Sequence, residues 1–282
     1  MELLLHFIVG IVLSVVVAVL SYKLQSQLVS IAFIGLATIS YIGLSYVAYE
    51  IVAVQFVIAG AVFGYVAQHF SFQRYITVSA LVLWAALIVV YYMQYYMQGI
   101  DVVADNYNVI RQMVESSALG AAEKSLMLQQ LENFVPTMRK LIPFSNFFSS
   151  VLISLFLYVL IYPIFVRFKF LNISDSTFSL FRIYEWFVFL FIASWAIVLF
   201  VDSSKILWAI ALNIGLILCV VYTIQGLSIL SYYFERKQWP RLYAILALVV
   251  AMLLGVQAFF FIVIMVMGLG IIDFWMNFRN IV

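Results

Sequence analysis

Residues 243–269 read YAILALVVAMLLGVQAFFFIVIMVMGL, and residues 270–282 close the chain with GIIDFWMNFRNIV. The first stretch carries no charge and exceeds the roughly 20 residues that cross a bilayer as a helix. It shows no period-two alternation, so a barrel strand is excluded. One unbroken spanning helix is expected from Tyr243 to about Leu269. Gly268 and Gly270 then mark the exit from hydrocarbon, and an aromatic cap bearing Asp273, Asn277 and Arg279 follows.

The rest of the chain repeats this theme. Of 282 residues, 67% are hydrophobic and 9% charged, against about 25% charged in a soluble domain. A surface this apolar needs lipid as its solvent. The net charge of +2 is too small to argue for nucleic acid. The lone Cys219 excludes an intrachain disulfide and a cysteine metal site. Met1-Glu2 offers no basic n-region, and the apolar run 3–21 is longer than a signal-peptide core, so it is read as a retained first span.

Eight stretches have spanning length: 3–21, 28–49, 51–68, 75–96, 141–166, 185–201, 206–230 and 242–269. Helices satisfy their backbone hydrogen bonds internally, as lipid demands. The fold class is therefore all-α: a polytopic transmembrane bundle of about eight spans forming one domain, 1–282. The tyrosines of Tyr91-Tyr92-Met93-Gln94 and Tyr95-Tyr96-Met97-Gln98 suit an interfacial anchor.

Residues 99–140 break the pattern with five acids and four bases. Val103, Tyr107, Ile110 and Val114 share one helical face, as do Leu128, Leu131, Val135 and Met138. Two amphipathic helices are expected, split near 116–120, with Pro136 kinking or ending the second. This extramembrane insert reads as a surface hairpin, a lid or a docking element.

Lys23, Arg74, Arg167, Lys169, Arg182, Arg236, Lys237 and Arg241 fall on one side of an eight-span topology. Lys205 and Arg279 fall on the other. The positive-inside rule then places both termini and the 99–140 insert outside.

Charge at bilayer depth would mark function, and here it is nearly absent. Gln55, Asn213, Gln225 and Gln257 are the polar residues within spans. They suit interhelical hydrogen bonds, or Asn213, Gln225 and Gln257 form a polar pocket. Small residues recur on helix faces at Gly10, Ser14 and Ala18, at Gly60 and Gly64, and at Ala247, Ala251 and Gly255. Such faces serve close packing or docking to a partner. His6 and His69 belong to no catalytic or zinc motif, and no phosphate loop or nucleophile elbow is present. No catalytic residue, metal ligand or cofactor site is expected, and the chain is not read as an enzyme. Asp273, Asn277 and Arg279 suit a helix-end network at the interface or a charged site for a partner or ligand.

Five stretches in order resemble the YybS-like family of uncharacterised bacterial polytopic membrane proteins: AGAVFG at 59–64, the insert leading to Leu141-Ile142-Pro143, FRIYEWF at 181–187, Asn213 with YTIQGLS at 222–228, and GLGIIDFWMNFR at 268–279. The resemblance implies a multi-pass protein of the bacterial cytoplasmic membrane. At fold level it extends distantly to the substrate-binding subunits of energy-coupling-factor importers, which dock a partner through small residues of their first helix. Gly10, Ser14 and Ala18 are similar in kind. Two functions fit the residues. One is a transporter-like bundle that binds a small molecule and lacks its own energy-coupling site. The other is a non-catalytic scaffold or accessory subunit. Its partners would be lipid and other membrane subunits, or a second copy.

Overall fold

The computed structural model describes residues 2–24, 27–47, 52–67, 71–118, 120–170, 178–239 and 255–279. They form ten α-helices and one 3-10 turn, with no strand among the described residues. The helices are α1 (Glu2–Lys23), α2 (Gln27–Val47), α3 (Val52–Ala67), α4 (Phe72–Gln98), α5 (Val102–Ser116), α6 (Ala121–Lys140), α7 (Ile142–Arg167), α8 (Phe187–Phe200), α9 (Ile206–Arg236) and α10 (Val256–Met276). The turn is Phe178–Leu180.

α4, α7, α9 and α10 are each long and apolar enough to cross a membrane. Shorter apolar helices run over Ile8–Lys23, Leu28–Gly43, Gln55–Ala67 and Phe187–Phe200. Leu28 is 80% exposed and Phe200 88% exposed. Large side chains bared along apolar helices suit a lipid surface. The membrane-embedded all-helical bundle expected from composition is what the chain forms.

Two compact units divide the described chain. The first comprises Met1–Tyr65 and Val78–Ile161. In it the small faces of α1 and α3 meet. A Cβ on Gly60 would lie 2.3 Å from the Ser14 carbonyl oxygen, and one on Gly64 2.1 Å from that of Ala18. Ser14 and Ala18 are fully buried, and Gly10 is buried on the same face. Ser21 adds a hydrogen bond to the Ala61 carbonyl at 2.9 Å. Small residues let two helix backbones approach where larger ones would hold them apart. Gln55 donates to the Tyr41 hydroxyl at 2.8 Å, so it joins α3 to α2. α4 and α7 are tied by Ser79 with Ser154 at 2.7 Å and by Trp84 donating to the Pro143 carbonyl at 2.8 Å.

The amphipathic insert is a pair of helices, α5 and α6. Val103 is buried, while Tyr107, Val114, Leu128, Leu131, Val135 and Met138 are half-buried; Ile110, expected on the same face, is exposed. Asp101 caps α5 by accepting the Val103 and Ala104 N–H groups at 3.2 and 3.1 Å. It also pairs with Arg139 near the end of α6. Pro136 does not end α6, which runs on to Lys140. Pro136 removes one backbone donor, and the helix continues without it.

The second unit comprises Val66–Thr77 and Tyr162–Val282. Here α8 packs on α9 and α10 around Val188, Leu218 and Tyr222, with Met267, Ile271 and Phe274 against them. Phe72 stands edge-on to Phe178 at 5.0 Å and to Phe181 at 5.8 Å.

Three expectations fail in this unit. First, the last span is not unbroken: Gly255 has φ 97° and caps the start of α10. That left-handed backbone suits glycine and cannot lie inside a right-handed helix. Gly255 is exposed, with nothing near its missing Cβ, so it lines no packing face. Ala247 and Ala251 lie outside the described residues. Second, Gly268 and Gly270 do not end the helix, which continues to Met276. Third, α9 and α10 run in the same direction. Gln225 meets Asp273 within α10, and Tyr233, about two turns further along α9, meets Phe278, which directly follows the C-terminal cap of α10. The eight-span topology set Arg279 on the side opposite Arg236. Instead, the C-terminal turn shares one end with residues 179–185 and the end of α9.

Candidate functional site

Two glycines bring α9 and α10 together. A Cβ on Gly226 would sit 1.9 Å from the Val266 carbonyl oxygen, and one on Gly270 2.1 Å from that of Tyr222. No side chain fits at either position, so the backbones touch there. Asp273 follows Gly270 by three residues and therefore projects from nearly the same face of α10. It is fully buried.

Past Met276 the chain reverses. Asn277 adopts φ 40° and ψ 57°, a left-handed cap that asparagine tolerates. The reversal delivers the Phe278 N–H to Asp273 Oδ1 at 3.0 Å. It also swings Arg279 back over the same carboxylate, with Nη2 2.9 Å from Oδ2 and both side chains 1% exposed. Arg279 Nη1 donates to the Ser179 carbonyl at 2.9 Å, the Phe181 carbonyl at 2.8 Å and Ser228 Oγ at 2.6 Å. Its Nε is buried without a partner among the described residues.

Gln225 completes the cluster. Its Nε2 donates to the Gly270 carbonyl and to Asp273 Oδ2, each at 3.1 Å, and its Oε1 accepts the Ile183 N–H at 3.2 Å. Two acceptors at one end and a donor at the other fix the amide orientation. Around this core, Arg182 reaches Asn277 Oδ1 at 3.4 Å and Glu185 at 3.0 Å, and Tyr233 donates to the Phe278 carbonyl at 2.9 Å. Three separate segments thus meet on one ion pair: 179–185, 225–233 and 270–279.

Charge in a dry interior is tolerated when paired and hydrogen-bonded. Here the pair is satisfied almost wholly by groups of this chain. Its chemistry is that of a lock: it holds a turn against a helix and supplies no exposed nucleophile or proton donor. Among the described residues no group of three His, Cys, Asp or Glu side chains is placed to hold a metal.

The described contacts of the proposed polar trio of Asn213, Gln225 and Gln257 differ. Asn213 donates back to the Ala209 carbonyl of its own helix at 2.7 Å. Gln257 is exposed at the start of α10. Gln225 alone is drawn into the site, beside Asp273. Arg182, Ser179 and Ser228 were not singled out from sequence, although Arg182 and Ser228 lie within stretches quoted for the resemblance. Beside Gln225 a cavity of about 10 Å³ is lined by Arg182, Ile183, Tyr184, Glu185, Tyr222 and Phe274. That is about the room one water needs.

At the insert, burial pushes the Asp101 carboxyl up, but the Ala104 N–H and the Arg139 guanidinium outweigh it and hold Asp101 below its ordinary value.

No curated protein and no solved structure matches this chain. One family does, over residues 4–274, which take in Gln225 and Asp273 but stop short of Arg279. The chain is an integral membrane protein, embedded in the bilayer through its apolar helices, and it belongs to the family described as Predicted membrane protein (DUF2232).

Proposed function

We propose that the protein is a non-catalytic scaffold or accessory subunit of a larger complex in the bacterial cytoplasmic membrane. The observation that carries this reading is the commitment of the buried polar groups to one another. Gln225, Asp273, Arg279 and Ser228 lock three segments of the chain, and the cavity beside Gln225 is of water size. A rigid bundle of this kind suits a platform. The insert offers a surface for docking: Val109, Met113, Leu126, Met127 and Phe134 are exposed on α5 and α6.

The test is native electrophoresis of gently solubilised membranes. The wild type is expected to migrate in a band well above its own mass of 32.3 kDa. Met113→Glu and Phe134→Glu should each collapse that band without lowering the melting temperature of the purified protein. Migration of the wild type as a lone chain would overturn the reading.

A second reading is a transporter-like bundle, akin to the YybS-like proteins and distantly to the importer subunits. The observation in its favour is Tyr222, 2% exposed and lining the small cavity beside Gln225 and Arg182. It requires that cavity to open. A small molecule retained by the wild type and lost in Tyr222→Phe would favour it.

A further inference from the structure

α5 and α6 border an open cleft of about 270 Å³, lined by Ala104, Tyr107, Glu132, Val135, Pro136 and Arg139. Its two charges are of opposite sign and seven residues apart on α6, about 10 Å along the axis. Arg139 is fixed in place. It pairs with Asp101, three residues past the end of α4, and the Tyr95 side chain acts on it electrostatically. Tyr95 belongs to the ladder in which Tyr91 stacks on Tyr95 and Tyr92 on Tyr96 at the end of α4. Tyrosines at the end of a spanning helix sit at headgroup level, and the pairing with Asp101 holds Arg139 at that end of α4. Glu132 is exposed and forms no ion pair among the described residues.

We propose that this cleft binds the zwitterionic headgroup of an amine-bearing phospholipid. Arg139 keeps N–H donors beyond the one given to Asp101, since a guanidinium has five, and these meet the phosphate. Glu132 accepts from the primary ammonium. Val135, Pro136 and the Tyr107 ring lie against the glycerol. Choline has no N–H to give Glu132. An anionic headgroup would bring its charge towards Glu132 and Asp101. The chemistry therefore selects phosphoethanolamine over both. The assignment is independent of whether the outer face of the insert docks a protein.

The experiment is native mass spectrometry of the whole delipidated protein, titrated with phosphatidylethanolamine, phosphatidylcholine and phosphatidylglycerol of identical acyl chains. The wild type is expected to retain the ethanolamine lipid about tenfold better than the choline lipid, the effect of one charge-assisted hydrogen bond. Glu132→Gln should bring the two to parity with melting and helix content unchanged, because Glu132 is exposed and holds no ion pair among the described residues. Equal retention by the wild type, or a preference that survives in Glu132→Gln, overturns the proposal. A third arm uses water-soluble phosphoethanolamine. Binding as tight as that of the lipid would make this a site for a soluble ligand and overturn the lipid assignment.

Discussion

Asp273 and Arg279 form an ion pair at 2.9 Å across a left-handed Asn277, and neither side chain reaches solvent. An amide in place of Asp273 would still hydrogen-bond, but the hydrogen bond is the smaller part of what the carboxylate supplies. Arg279 is 4% exposed, and asparagine gives it no counter-charge. An uncompensated cation in a dry site is far costlier than a lost hydrogen bond.

The crossing of α9 and α10 depends on two positions without a side chain. Gly226→Leu and Gly270→Leu should each lower stability in detergent by at least about 1–3 kcal/mol. Both place a Cβ inside a backbone carbonyl of the other helix. Gly268→Ala, where nothing lies near the Cβ site, should be neutral or mildly stabilising. Thermal melting of the three variants beside wild type checks this; equal melting for all would mean the helices do not touch there.

Gly255 acts differently. No neighbour stands within 4 Å of its Cβ site, but its φ is 97°. Gly255→Ala and Gly255→Leu should therefore destabilise by similar amounts, about 1 kcal/mol or more, from backbone strain alone. A cost that grows with side-chain size would show packing at this site.

Direction along the second unit is testable by cross-linking. In a Cys219→Ser background, cysteines replacing Tyr233 and Phe278 should be joined by a short bifunctional maleimide. Cysteines replacing Trp208 and Phe278 should not, because Trp208 lies about 37 Å along α9 from Tyr233. The opposite pattern would restore the antiparallel arrangement expected from the span count.

The Asp101 carboxyl titrates below its ordinary value, so its pairing stabilises the folded insert above the unfolded value of about 3.9. That contribution is lost as pH falls through the lower folded value. The melting difference between wild type and Asp101→Asn should stay constant from pH 7 to about 5 and close below about 4. A difference that vanishes already near pH 6 would contradict this assignment.

Hydropathy and small-residue spacing carried much of the architecture. They report solvent and close approach, and the faces at Ser14, Ala18, Gly60 and Gly64 do meet. The split between α5 and α6 followed from a change of composition. Helix direction was not readable, because hydropathy has no sign along the axis: 256–276 reads as spanning either way. The break at Gly255 was hidden for a related reason, since an apolar run containing glycine suits one helix or two. The site was half legible. Asp273, Asn277, Arg279 and Gln225 stood out as polar residues in oil. Their partners did not, because Arg279 finds Ser179 across 100 residues of chain through a backbone carbonyl that every residue carries.

The account rests on the ion pair as the lock of the C-terminal turn, and a double-mutant cycle on Asp273 and Arg279 measures that directly. Asp273→Asn alone and Arg279→Met alone should each cost about 3–5 kcal/mol of stability in detergent, each leaving a buried charge unpaired. The double variant should cost clearly less than the sum, with a coupling of about 2 kcal/mol or more. Additive losses, agreeing within about 0.5 kcal/mol, would contradict the central claim and mean that the two side chains do not act on each other.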